Sequence, residues 1–297
     1  MKGAHERSHA AGRARVRAIA ALGCAVLAGT VLTACTTADA PAPPRVTVTA
    51  GASPTPTPAA PPELPPAPDS TGASAGDDGR VDAEIVAHAD RNYLVVMLPL
   101  DQWELRIDWE PGGTMLADVI EADPTIVAAT NAGIFTPEVV PGGLLVSDGD
   151  ELVGLNLADG AGNFHLMPNG VFALHEDGTA SVVDSTEYVA EGVVHATQSG
   201  PALVLDGEVH PEFREGSVNL ALRSGVGVSP DGGTVMLAMS WGVTNLWDFA
   251  TLFRDELGVD DALYLDGQIS DVWVTGMGAP GALSGPYAGV ITARPAG

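Results

Sequence analysis

The sequence predicts an α+β domain, a mixed or antiparallel β-sheet core with few helices packed against it. Short apolar runs of four to six residues dominate from about Val81 onward. Asp-Gly pairs punctuate them as turns, and only two segments carry helical spacing.

Before that domain lie two other kinds of chain. Residues 1–17 are polar and basic, with Lys2, Arg7, Arg13, Arg15 and Arg17, and an uncharged run from Ala18 to Leu32 follows. About 15 apolar residues after a basic head read as a secretion signal, since a membrane span needs roughly 20. Leu32-Thr33-Ala34-Cys35 closes the run and resembles a bacterial lipobox. Residues 1–34 are therefore expected to be a lipoprotein signal peptide. Cys35 is expected to be the lipidated first residue of an exported, membrane-anchored protein. Residues 35–81 are rich in Pro, Thr and Ala, as in Pro54-Thr55-Pro56-Thr57-Pro58. Such a segment favours extended backbone, has almost nothing to bury, and reads as a disordered stalk. Residues 82–297 suffice for one domain.

Composition excludes several chemistries. Cys24 lies inside the signal and Cys35, just after it, is expected to be acylated, so the domain has no thiol for a disulfide or a nucleophile, and Lys2 is the chain's one lysine. Residues 1–34 hold Glu6 and the five basic residues named above, so the remainder carries 8 basic against 37 acidic side chains, a net of −29. That surface repels nucleic acid and anionic head groups. The histidines have no metal-ligand spacing and no calcium loop is present, so neither a metal nor a cofactor is expected.

The strand candidates, in order, are 93–97, 125–129, 171–174, 202–205, 234–239 and 262–265. Several are apolar throughout, which predicts strands buried on both faces. The first helix candidate is Thr114–Ala122. The second starts at Asn245 as N-cap, places Leu246, Phe249, Ala250, Phe253 and Leu257 on one side, and stops at Gly258.

Four blocks hold the candidate chemistry. Arg223 is one of six cationic side chains from residue 82 onward, and it stands in an otherwise uncharged run, Asn219 to Val228. A buried arginine cannot shed its charge, so it needs an anion: an internal Asp, or a substrate phosphate or carboxylate. In Leu265-Asp266-Gly267-Gln268-Ile269-Ser270, a strand gives way to a polar loop at Asp266, which is either a turn residue or a catalytic group. Thr130-Asn131-Ala132-Gly133-Ile134-Phe135 opens an apolar strand into Asn, a turn cap or an amide for a sugar hydroxyl. Gln198-Ser199-Gly200-Pro201 is polar before a turn but is no nucleophile elbow.

These blocks, in this order, with Arg223-Ser224-Gly225-Val226-Gly227-Val228 third, resemble the phosphodiester glycosidase family over roughly residues 83–291. The likeness is greatest to a bacterial subgroup of small exported proteins, where Gly162-Asn163-Phe164 and Pro168-Asn169-Gly170 also fit. Ala132 stands where better-known members have a first glycine, and Gln268-Ile269 where they have two. The resemblance implies a hydrolase that cleaves a sugar from a phosphodiester in a glycan or glycopolymer. Asp266, Arg223 and Asn131 would be its catalytic residues, and Phe135, Gln198, Ser199, Gly200, Gly267, Gln268 and Ser270 would bind substrate. In that reading Arg223 holds the phosphate oxyanions and Asp266 activates water or stabilises positive charge on the sugar. Two other readings fit the same residues. One is a non-catalytic lipoprotein that binds a phosphosugar or envelope glycopolymer. The other is an ordinary glycosidase in which Asp266 pairs with a second acid such as Asp206 or Glu187.

Overall fold

A computed structural model of the protein describes residues 80–277 and 285–297. The signal peptide, Cys35 and nearly all of the stalk lie outside the described residues.

The elements run β1 (Asp82–His88), β2 (Arg91–Pro99), β3 (Trp103–Asp108), α1 (Leu116–Ala122), β4 (Ala128–Asn131), β5 (Leu145–Ser147), β6 (Asp150–Val153), β7 (Gly170–His175), β8 (Ala180–Asp184) and β9 (Val193–Ser199). They continue with β10 (Ala202–Leu205), β11 (Glu208–Val209), β12 (Ser224–Val228), β13 (Thr234–Ser240), α2 (Leu246–Thr251), β14 (Asp261–Asp266), β15 (Val272–Val274) and β16 (Val290–Pro295). A seven-stranded sheet has the order β1-β2-β13-β12-β14-β10-β11, a five-stranded sheet β6-β5-β9-β7-β8, and a four-stranded sheet β15-β4-β16-β3. Neighbouring strands pair antiparallel. The chain is thus α+β with a sheet-dominated core, as its sequence predicts.

The apolar runs follow from where the large sheet sits. In β2, Leu94, Val96 and Leu98 enter one core with Trp103, Leu105 and Ile107 of β3 and Phe172 of β7. Tyr93 and Val95, on the opposite face, enter a second core with Phe249 and Phe253 of the helical segment. A strand covered on both sides has no polar face to alternate. Burying each such side chain contributes roughly 1.5–3 kcal/mol.

Helix α2 shows how the third block is used. The Asn245 side chain accepts from the Asp248 N–H at 2.8 Å, which caps the helix. A π-helical turn, Leu252–Glu256, extends it, and Gly258 ends it at φ +64°. Beneath it, a Cβ on Gly227 would stand 2.8 Å from Cδ1 of Phe253, and one on Gly225 3.1 Å from Cε1 of Phe249. The alternating glycines of β12 therefore make room for two phenylalanine rings.

Three segments enter regular structure later than their sequence pattern suggests. Helix α1 starts at Leu116 rather than Thr114, because Thr114 exchanges backbone hydrogen bonds with Tyr287 and stays extended. Strand β4 starts at Ala128 rather than Thr125, whose N–H and hydroxyl both donate to Asp123. The run 219–228 becomes regular strand at Ser224, since Ala221 instead bridges to Thr244.

Candidate active site

The start of β12 and the end of β14 lie side by side, with Ser224 opposite Asp266 and a bulge immediately after Ser224. Successive side chains of a strand point to opposite faces. Ser224 turns toward β4, and Arg223 turns toward α2.

On the β4 side, Asn131 is 1% exposed. Its amide nitrogen donates to Ala132 O at 3.0 Å and to Ser224 Oγ at 3.1 Å. Its oxygen accepts from Ser224 Oγ at 3.2 Å and from Asp271 N at 3.3 Å. Ser270 donates to Ser224 at 2.8 Å. Ser199, fully buried, donates to Leu265 O at 3.0 Å and accepts from Ile134 N at 3.1 Å. The four sequence blocks are therefore tied to one another: the first to the third through Asn131 and Ser224, the third to the fourth through Ser270, and the second to the first and fourth through Ser199.

Arg223, 1% exposed, lies on the other side. Nε donates to Thr244 O at 3.0 Å, Nη2 to Asn219 O at 3.1 Å, and Nη1 to the Tyr264 hydroxyl at 3.4 Å. The guanidinium carbon is 5.5 Å from the centroid of the Tyr264 ring. Among the described residues, its hydrogen-bond partners are these neutral oxygens and its electrostatic partner is Tyr264, with no carboxylate paired to it. Burial pushes its pKa down from the ordinary arginine value. A cation buried without a counter-ion costs several kcal/mol, and hydrogen bonds to neutral groups offset only part of that. The side chain lines a cavity of about 170 Å³ with Asn163, Glu212, Phe213, Arg214, Asn219 and Trp247, so a carboxylate and a second guanidinium share its wall.

Asp266 is partly buried, and burial pushes its carboxyl up to about 6 against the opposing effect of the Gly267 N–H, which donates to it at 2.6 Å. Its charge also bears on two phenols. Burial lifts Tyr264 to about 12, with Arg223 opposing and Asp266 adding. Burial, then Asp271 and Asp266, raise Tyr287. Gly267 packs against the Tyr264 hydroxyl, which a Cβ there would approach to 2.8 Å. A shared phenol thus joins the surroundings of Arg223 and Asp266.

The remaining predicted residues divide. Gln198 has every amide position engaged: its oxygen accepts from Leu144 N and Asn156 N, and its nitrogen donates to Asn156 O at 2.8 Å and Asn169 Oδ1 at 3.5 Å. Gly200 is packed so that a Cβ would stand 2.6 Å from Cβ of Asn169. Phe135 is half-buried, edge-on to Tyr287 at 6.5 Å. Gln268 is exposed and accepts from Leu222 N at 3.5 Å. Asp206 sits in the β10–β11 turn, where its N–H donates to Asp261 at the opposite end of β14 from Asp266. Five strand steps, roughly 16 Å, exceed the 5–9.5 Å spacing of two-carboxylate glycosidases, so this pairing is not available.

Tyr264 is the residue that sequence reasoning missed. It pairs with Gly225 of β12 and so faces the side on which Arg223 lies, whereas Asp266, beyond the bulge, pairs with Ser224.

The sequence model of the family described as phosphodiester glycosidase matches residues 124–294. YigE of Escherichia coli, named an uncharacterized protein, is 35% identical over 172 residues, 58% of this chain and 67% of that protein. The fold is similar to the catalytic domain of zebrafish N-acetylglucosamine-1-phosphodiester alpha-N-acetylglucosaminidase, auto-inhibited by its pro-peptide, with a TM-score of 0.50 at 16% identity over 72% of this chain and 81% of that one. A hypothetical protein from Synechocystis gives a TM-score of 0.48 at 14% identity over 73% of this chain and 62% of that one. All four sequence blocks lie inside the matched span, and the chain belongs to the phosphodiester glycosidase family.

Proposed function

We propose that this protein hydrolyses the bond between a sugar and a phosphodiester in a glycan or glycopolymer of the cell envelope. The observation that carries the reading is Arg223: a buried guanidinium that lines a cavity and has neutral oxygens for partners. Such a group is a receptor for an oxyanion.

In this reading the bond from the anomeric carbon to the phosphate oxygen breaks, its electron pair leaves with the phosphate, and Arg223 stabilises that charge. Water supplies the new oxygen on the anomeric carbon, and the Asp266 carboxylate takes the water proton. A carboxyl near pKa 6 is ionised at neutral pH yet basic enough to accept a proton. A phosphate leaving group needs less protonation than an alcohol, so one carboxylate suffices. Asn131 acts as a positioning residue through Ser224 and the Asp271 backbone, and Gln198, Ser199 and Gly200 hold the loops around them. The lipobox supports export and anchoring through a lipid on Cys35.

The test is turnover. The purified protein is incubated with nucleotide sugars and other sugar-1-phosphodiesters, and released reducing sugar is measured. The proposal predicts release from phosphodiesters and none from neutral aryl glycosides. Cleavage of aryl glycosides would return the two-carboxylate mechanism with another partner for Asp266. Saturable binding without release would identify a non-catalytic receptor.

A further inference from the structure

A larger cavity, about 500 Å³, lies on the outer face of the four-stranded sheet, between α1 and β16. It shares no lining residue with the Arg223 cavity. In β16, Ile291 and Ala293 face the main core. Alternation therefore turns Thr292 and Arg294 the other way, into the wall of this cavity.

Its wall holds polar atoms that the protein does not satisfy. Nε1 of Trp109, Oγ1 of Thr292 and Nε of Arg294 are all buried without a hydrogen-bond partner. Thr292 is 2% exposed. Among the described residues six side-chain atoms are in this condition, and half of them belong to this one wall. Buried polar groups are nearly always paired, so such a cluster asks for a partner from outside. Around it stand acceptors: Asp108, Glu110, Asp118 and Asp123, the last paired with Arg294 at 3.1 Å.

We infer that this cavity is a second binding site, for a neutral saccharide. Four carboxylates against one arginine repel phosphate and carboxylate ligands. The indole and guanidine N–H groups are donors only and would face a cation with like polarity. A sugar hydroxyl both donates and accepts, so it matches carboxylates and orphaned N–H groups together, and the half-buried Trp109 supplies an apolar wall. The volume falls in the range of small-molecule sites. The inference is independent of the reading of Arg223.

Calorimetric titration of the protein with maltotriose, cellotriose and chitotriose, each up to about 10 mM, tests this, since a millimolar Kd is still resolved there. At least one is expected to bind saturably. Thr292→Val keeps the side-chain shape and removes an orphaned hydroxyl. It is expected to melt at or above the wild-type temperature, yet to bind the sugar about tenfold more weakly, and Trp109→Phe is expected to weaken binding as well. Arg223→Ala is expected to leave binding unchanged, and glucose 1-phosphate is expected not to compete. Absence of saturable binding by all three sugars overturns the inference. So does binding that survives Thr292→Val and Trp109→Phe but disappears with Arg223→Ala.

Discussion

The Tyr264 hydroxyl lies 3.4 Å from Nη1 of Arg223, and its ring centroid lies 5.5 Å from the guanidinium carbon. An aromatic face thus occupies a position beside the buried cation where an acid would neutralise it. A cation over a ring is worth about 0.5–2 kcal/mol, far less than a full counter-charge, so the cation stays hungry for an anion. Tyr264→Phe keeps the ring and removes the hydroxyl. It should cost about 1 kcal/mol in denaturant unfolding, whereas Tyr264→Leu, which also removes the ring, should cost more. Equal losses for the two variants would show that the ring does not support Arg223.

Asp266 gives a prediction in pH. Its pKa of about 6 in the folded state exceeds the ordinary value of 3.8, so its favourable contribution to stability is complete below about pH 3.8 and is lost as pH rises through about 6. Asp266→Asn removes a charge that burial disfavours. The variant should gain on wild type between pH 4 and pH 8, by at most about 3 kcal/mol. Its hydrolysis should be abolished, and wild-type kcat/KM should fall as pH drops through about 6. A variant whose relative stability is flat over that range would remove the argument from burial.

The glycines of β12 predict a packing effect. Gly227→Ala would press its Cβ to 2.8 Å from Phe253 and 3.0 Å from Val259. The expected cost is about 1–3 kcal/mol in equilibrium unfolding. Phe253→Leu in the same chain should recover part of it, a coupling that a double-mutant cycle measures. Full additivity would place the strain elsewhere.

Lipidation at Cys35 is tested by fractionation. Cys35→Ala should move the protein from the membrane to the soluble fraction, and limited proteolysis should cut first between residues 36 and 80. Among the described residues no helix is long and apolar enough to cross a membrane. Unchanged membrane retention of Cys35→Ala would rule out the lipid as the anchor.

Much of the fold was legible because its signals are local. Asn245 and Gly258 bracket the α2 segment as their chemistry dictates, and the apolar runs at 93–97 and 262–265 became strands covered on both faces. Arg223 was legible for the same reason, as a charge in an uncharged run. What one sequence does not reveal is which hydrogen-bonding positions the folded chain itself consumes. Asn131 and Gln198 look like free amides in the sequence, yet their positions are taken by Ser224 and Asp271 in one case and by Leu144 and Asn156 in the other. Tyr264 was hidden because a tyrosine in an apolar strand looks like core until its hydroxyl is seen against a guanidinium.

The most direct test of the account is Arg223→Lys, assayed on the best sugar-1-phosphodiester found. Lysine keeps the charge and loses the planar fork that grips two oxyanion positions. A charge-assisted contact of that kind is worth roughly 1.5–3 kcal/mol, so kcat/KM should fall about 10- to 150-fold in a variant that still melts cooperatively. A folded Arg223→Lys protein that retains full kcat/KM on the phosphodiester would contradict the assignment of Arg223 as the oxyanion receptor.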